Sequence, residues 1–141
     1  MMDVTLADAT VGSDLPPFAL ALTLQRLVME SAANRDYAPI HHDREITKAT
    51  GVDEPYANTM LVQVIFEAML RQWMGPRGRL CTLGFSMRSF AMAGAMLSAH
   101  GTVLAVHPDP DGGGQVELEI WTESRSNRAA VGTATVWLPA R

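Results

Sequence analysis

The 141-residue chain has one cysteine, Cys81, so no intramolecular disulfide and no cysteine-rich metal site is available to it. Cys81 lies in an apolar run and reads as an inert core thiol. Basic charge is also scarce. Eleven Lys and Arg stand against fifteen Asp and Glu, a net charge of -4, and no basic stripe exists to track a nucleic-acid backbone. No apolar run approaches the roughly 18 residues that span a bilayer. Residues 1–14 carry acidic side chains without a basic cluster, unlike a secretory signal. These absences point to a cytoplasmic chain that binds neither membrane nor nucleic acid. There is no internal repeat and no long linker, so residues 1–141 read as one domain. The low-complexity stretch Pro108 to Gly114 reads as an exposed hairpin loop.

What remains is globular: 48% apolar and 18% charged residues, enough to bury one sizeable core. Nine Met residues offer adaptable apolar packing. A short strand is expected over Phe18 to Leu22. A helix follows over Leu24 to Ala33, with Leu24, Leu27 and Val28 on one face. Asn34 to Asp43 is a loop, because Pro39 biases Ala38 away from helical angles. Asp43 caps a short helix that ends at Gly51. Thr59 to Met74 lacks Pro and Gly and is apolar on most of its circumference, so it must be covered on most sides. Gly75-Pro76 ends it. Four strands follow: Leu80 to Phe90, Met96 to Val106, Gln115 to Thr122 and Ala129 to Leu138. Gln115 to Ile120 alternates polar and apolar, as a strand with one wet face does. Gly101 and Gly132 are expected at bulges or bends. An antiparallel sheet wrapped around one long central helix, an α+β hotdog arrangement, satisfies this order. It leaves one helix face and one sheet edge to be covered, so at least a dimer is expected.

The segment Arg35-Asp36-Tyr37-Ala38-Pro39-Ile40-His41-His42-Asp43 concentrates two carboxylates and two imidazoles. Asp36 and His41 are five residues apart in an extended turn, a spacing that lets both converge on one small site. Histidine exchanges a proton near neutral pH. Aspartate can hold the same water and, if burial raises its pKa, share the proton traffic. The first amides of the long helix, at Thr59 and Met60, have no intrahelical partner and suit a developing oxyanion. Asn58 belongs to the same turn, and Tyr37 and Tyr56 flank the proposed site. Adjacent His41 and His42 point apart in an extended segment, so no metal site is expected. His42 and Asp43 read as structural, as do His100 and His107. Glu67 and Arg71 read as a helical pair, or Glu67 as the carboxylate of a thioesterase.

The segment resembles the Asp-x-Asn-Pro-x-His motif of the MaoC-like, or (R)-specific enoyl-CoA hydratase, family. It matches at Asp36, Pro39 and His41 and departs at Ala38, where the family usually has Asn. The resemblance implies that Asp36 and His41 are catalytic and that the start of the long helix supplies the oxyanion amide. The family's His-Gly pair is Asn58-Thr59 here. His41-His42-Asp43-Arg44 and Trp73-Met74-Gly75-Pro76 extend the likeness to the small single-hotdog subunits of steroid side-chain enoyl-CoA hydratases. The implied reaction is hydration of an acyl thioester, on CoA or acyl carrier protein, or the reverse dehydration. The implied assembly is a homodimer or a heterotetramer with a second MaoC-like subunit, and no cofactor. The alternatives are a hotdog thioesterase and a non-catalytic partner subunit.

Overall fold

The computed structural model describes residues 4–141. Five strands, β1 (Phe18–Ala21), β2 (Arg79–Met87), β3 (Met96–Pro108), β4 (Gly114–Ser124) and β5 (Asn127–Leu138), form one antiparallel sheet in the order β1-β3-β4-β5-β2. Three helices, α1 (Leu24–Ala33), α2 (Arg44–Ala49) and α3 (Thr59–Met74), lie between β1 and β2 in the chain. Helix α3 runs along the concave face of the sheet. Its Val62, Ile65, Phe66, Met69 and Leu70 are almost completely buried, against Leu97, Val116, Leu118, Ile120, Val136 and Leu138 from the strands. Small residues on the sheet's inner face, Ala99, Ala129, Ala130 and Ala134, are equally buried. They leave room for the wide side chains of the helix, so large meets small across the layer.

Local sequence sets the ends of α3. Asn58 is its N-cap: the side-chain Oδ1 accepts the Leu61 amide at 2.9 Å. Gly75, at φ 70, ends the helix where a residue with a Cβ would be strained. Asp43 caps α2 in the same way, accepting from Glu45 and Ile46. The β3–β4 hairpin closes through Asp109 and Gly113, as the Pro108 to Gly114 stretch implies. In β4, Val116, Leu118 and Ile120 point inward and Gln115, Glu117 and Glu119 outward.

Four features depart from the sequence reading. Strand β2 ends at Met87, and residues 88–95 form a connector that runs beside Pro55 to Ala57, tied by Ala57 N–H to Ala91 O (2.9 Å) and Ala93 N–H to Pro55 O (2.8 Å). Cys81 is exposed, because it is the extra residue where the β2–β5 register shifts between Leu80 and Thr82. Another bulge falls at Leu104, between Val103 and Ala105, while Gly101 and Gly132 sit in regular pairs. Gly132 is instead a close-approach position: a Cβ there would lie 2.6 Å from the Phe85 Cα. Finally, α1 buries Leu27 but leaves Leu24, Val28 and Met29 exposed. On α3, Met60 and Val64 are 45% and 53% exposed, so the central helix keeps one uncovered apolar face.

Candidate active site

The loop between α1 and α2 brings Asp36 and His41 together. Arg35 adopts φ 56, a left-handed conformation unusual for a residue with a long side chain. This turns the chain out of α1, and the Asp36 amide then donates to Ser31 O at 2.9 Å. Pro39 to His41 forms one turn of 3-10 helix. That turn carries His41 inward, where it is 5% exposed, and His42 outward.

The His41 ring is anchored at Nδ1 and approaches Asp36 through Nε2. Nδ1 lies 2.7 Å from Tyr56 O. A carbonyl only accepts, so Nδ1 carries the proton and donates. Nε2 then faces Asp36 Oδ2 at 3.2 Å. In the neutral ring Nε2 has a free lone pair, able to take a proton; once protonated it donates to the carboxylate. The Tyr56 ring packs edge-on against the imidazole (84° between planes) and against Phe90 at 4.4 Å between centroids, which fixes the ring's orientation.

Asp36 is held as a carboxylate. Asn58 Nδ2 donates to its Oδ2 at 3.0 Å, and the Ala38 amide to its Oδ1 at 3.3 Å. The Asn58 bond is the main cause, ahead of the Ala38 and His41 interactions, of a pKa below the ordinary value of 3.8. The condition under which Asp36 would share the proton traffic, a pKa raised by burial, is not met: the side chain is 35% exposed, and hydrogen bonds outweigh desolvation. These hydrogen bonds favour the ionised form of Asp36.

Asn58 thus has two tasks. Its oxygen caps α3 and its amide orients Asp36. The next two amides, Thr59 and Met60, have no hydrogen-bond partner among the described residues. Their residues belong to the wall of a cavity of about 350 Å3 lined by Asp36, Ile40, His41, Tyr56, Asn58, Thr59, Met60, Met87 and Phe90, with Ala57 completing the wall. Of the expected site residues, Asp36, His41, Tyr56, Asn58, Thr59 and Met60 meet here. Tyr37 does not line the cavity. It is 71% exposed, because the 3-10 turn places Ile40 and His41 on the inner side instead. Glu67 is also elsewhere, bonded to Gln63 and paired with Arg71 on α3. Ile40, Met87 and Phe90 were not legible as site residues. The last two come from the end of β2 and the connector, whose path depends on pairing with residues 55–57. A larger hollow of about 530 Å3 near Leu22 and Arg125 is lined by the Arg44–Glu54 ion pair and holds no histidine. Among the described residues, no group of three or more His, Cys, Asp or Glu is placed to hold a metal ion. Nor is any helix among them long and apolar enough to cross a membrane.

No family model matches the chain. The fold, in contrast, has many counterparts. A MaoC-like dehydratase from Rhodospirillum rubrum superposes with a TM-score of 0.84 at 19% identity, covering 98% of each chain. The fold is that of the MaoC-like hotdog proteins. A chain of the ChsH1–ChsH2 complex from Mycobacterium tuberculosis superposes with a TM-score of 0.79 at 25% identity, covering 94% of this chain and 98% of that one. By sequence, the chain is 26% identical over 77 residues to the beta subunit of the 3-oxo-4,17-pregnadiene-20-carboxyl-CoA hydratase of Mycobacterium tuberculosis (strain ATCC 25618 / H37Rv). That match spans 55% of this chain and 60% of the relative's length.

Proposed function

We propose that the chain hydrates the 2,3-double bond of an acyl thioester, or catalyses the reverse dehydration. The observation that carries the reading is the orientation of His41: Nδ1 is bound to a carbonyl, and Nε2 faces the Asp36 carboxylate beside two unpartnered amides of α3. Hydration needs a base for water, a proton for the α-carbon and a donor to the enolate oxygen. Water held between Asp36 and His41 loses a proton to Nε2 as its oxygen bonds to the β-carbon. The C=C electron pair moves toward the thioester carbonyl, whose oxygen takes hydrogen bonds from the Thr59 and Met60 amides. The imidazolium, steadied by Asp36 and Tyr56 O, then returns its proton to the α-carbon. The sum is one water across one double bond, with both groups restored.

The cavity is suited to the reacting end of a longer acyl chain. Its Met60, Met87 and Phe90 are exposed, and Val64 continues the same apolar surface along α3. A second hotdog chain seated there would complete the wall. The likeness to a steroid-type hydratase subunit and to a chain of a two-component complex favours a MaoC-like partner and a bulky enoyl-CoA. The experiment is to follow loss of enoyl-thioester absorbance, with the chain alone and with a co-expressed partner, alongside a thiol reagent that detects released CoA. Hydration without thiol release, abolished in folded Asp36→Asn and His41→Ala variants, is expected. Thiol release without hydration would replace this reading with a thioesterase, and full activity in both variants would remove the assigned pair.

A further inference from the structure

The apolar walls of the cavity differ in stiffness. Met60 and Met87 are unbranched side chains, free to reshape around a ligand. Phe90 is rigid by contrast. Its backbone belongs to the connector after β2, which is tied on both sides of the ring. The Arg88 and Ser89 amides donate to Ala129 O at 2.8 and 3.2 Å, Ala91 O accepts from the Ala57 amide at 2.9 Å, and the Ala93 amide donates to Pro55 O at 2.8 Å. Met92 forms an antiparallel bridge with Tyr56. The Phe90 ring leans on the Tyr56 ring, 4.4 Å between centroids and 43° between planes. Both rings line the cavity that holds Asp36 and His41. Phe90 is nevertheless 53% exposed. A large apolar ring left half in water forgoes burial that a covering ligand would supply. Rigid, flat and half uncovered, it offers a platform to an apolar group of matching shape. A straight acyl chain touches such a face along one line and must freeze its rotatable bonds to do so. A carbocyclic ring covers the face and has little freedom to lose.

We propose that Phe90 is the specificity-determining residue of this cavity, a fixed aromatic platform that selects enoyl thioesters carrying a carbocyclic ring over straight-chain ones. This selection rests on the hydration reading for the thioester, and adds to it the acyl class and the residue that reads it. The experiment compares wild type with Phe90→Leu, which keeps apolar bulk without the flat face, and with Phe90→Tyr, which keeps the face. With the partner chain if activity needs it, kcat and KM are measured for a straight-chain enoyl-CoA and for one of equal carbon number ending in a cyclohexyl ring. The ratio of kcat/KM, ring over straight, should fall about tenfold in Phe90→Leu, which is what roughly 55 Å2 of apolar contact is worth. The KM of the ring-bearing substrate should carry the change, and Phe90→Tyr should keep the wild-type ratio. An unmoved ratio in Phe90→Leu would overturn the proposal. So would an equal fall in kcat for both substrates, the mark of a residue that braces Tyr56 and through it His41. Weaker association with a partner chain at an unmoved ratio, read by light scattering, would make Phe90 an interface residue instead. The second measurement needs no turnover: calorimetric binding of the two saturated acyl-CoA thioesters, which have no double bond to hydrate. Wild type should hold the ring-bearing one more tightly, and Phe90→Leu should lose that preference. No preference in wild type, or one that survives in Phe90→Leu, would overturn the proposal even if the hydratase assay succeeds. A preference lost in Phe90→Leu, in a chain that hydrates neither enoyl-CoA, would uphold the platform and fail the hydration reading alone.

Discussion

Replacing Thr59 by proline removes one N–H and little else. Thr59 is the first residue of α3, the position where proline is best tolerated because the lost amide has no intrahelical partner. Asn58, at φ -79 and ψ 169, already has the extended conformation that a residue before proline adopts. The Thr59 side chain is exposed, so its loss costs little packing. Stability should therefore change by no more than about 1 kcal/mol. If the amide holds the enolate oxygen, kcat should fall by about 10²–10³, or about 3–4 kcal/mol in the barrier, as for other single oxyanion donors. Thr59→Ala, which keeps the amide, should remain near wild type. The assay is enoyl-thioester absorbance with kcat and KM resolved, next to urea unfolding of each variant. A folded Thr59→Pro chain with unchanged kcat would take this amide out of the mechanism.

Other outcomes follow from the same geometry. Asn58→Ser keeps a capping oxygen but is too short to hold Asp36. Unfolding should show a loss of about 1–2 kcal/mol, the worth of one hydrogen bond to a charged group, while kcat/KM drops about tenfold or more; unchanged kinetics would confine Asn58 to capping. Phe66→Ala should cost about 3–5 kcal/mol by urea denaturation, because Phe66 is wholly enclosed between α3 and the sheet. Gly132→Ala should destabilise through the clash with Phe85, read as a lowered Tm, whereas Gly84→Ala, with open space at its Cβ, should avoid that clash. On acidification, the depressed pKa of Asp36 gives the fold stability that is present above the unfolded value and fades as pH falls through the lower folded value. Asp36→Asn should flatten that acid loss in a pH series of unfolding curves.

Much of this architecture could be read from the chain because it is locally encoded. Thr59 to Met74 has no breaker inside and Gly75-Pro76 after it, and α3 has those bounds. Asp43 stands ahead of its helix as a cap, and the alternation in β4 matches its burial. The misses involve distant partners. Asp36 is kept ionised by Asn58, 22 residues away, so its titration was invisible to local reasoning. The tautomer of His41 depends on a backbone carbonyl, which has no sequence signature. Tyr37 and Ile40 differ in orientation because of a single 3-10 turn, and Cys81 faces outward because of one bulge. Phe90 reaches the site only because residues 88–95 leave the sheet.

The most direct measurement is the structure of the chain, with its partner if one is needed, bound to a 3-hydroxyacyl thioester. The account predicts the 3-hydroxyl oxygen within hydrogen-bond distance of both the Asp36 carboxylate and His41 Nε2, with the thioester oxygen on the Thr59 or Met60 amide. A hydroxyl bound away from that pair, or a thioester pointing away from the start of α3, would contradict it.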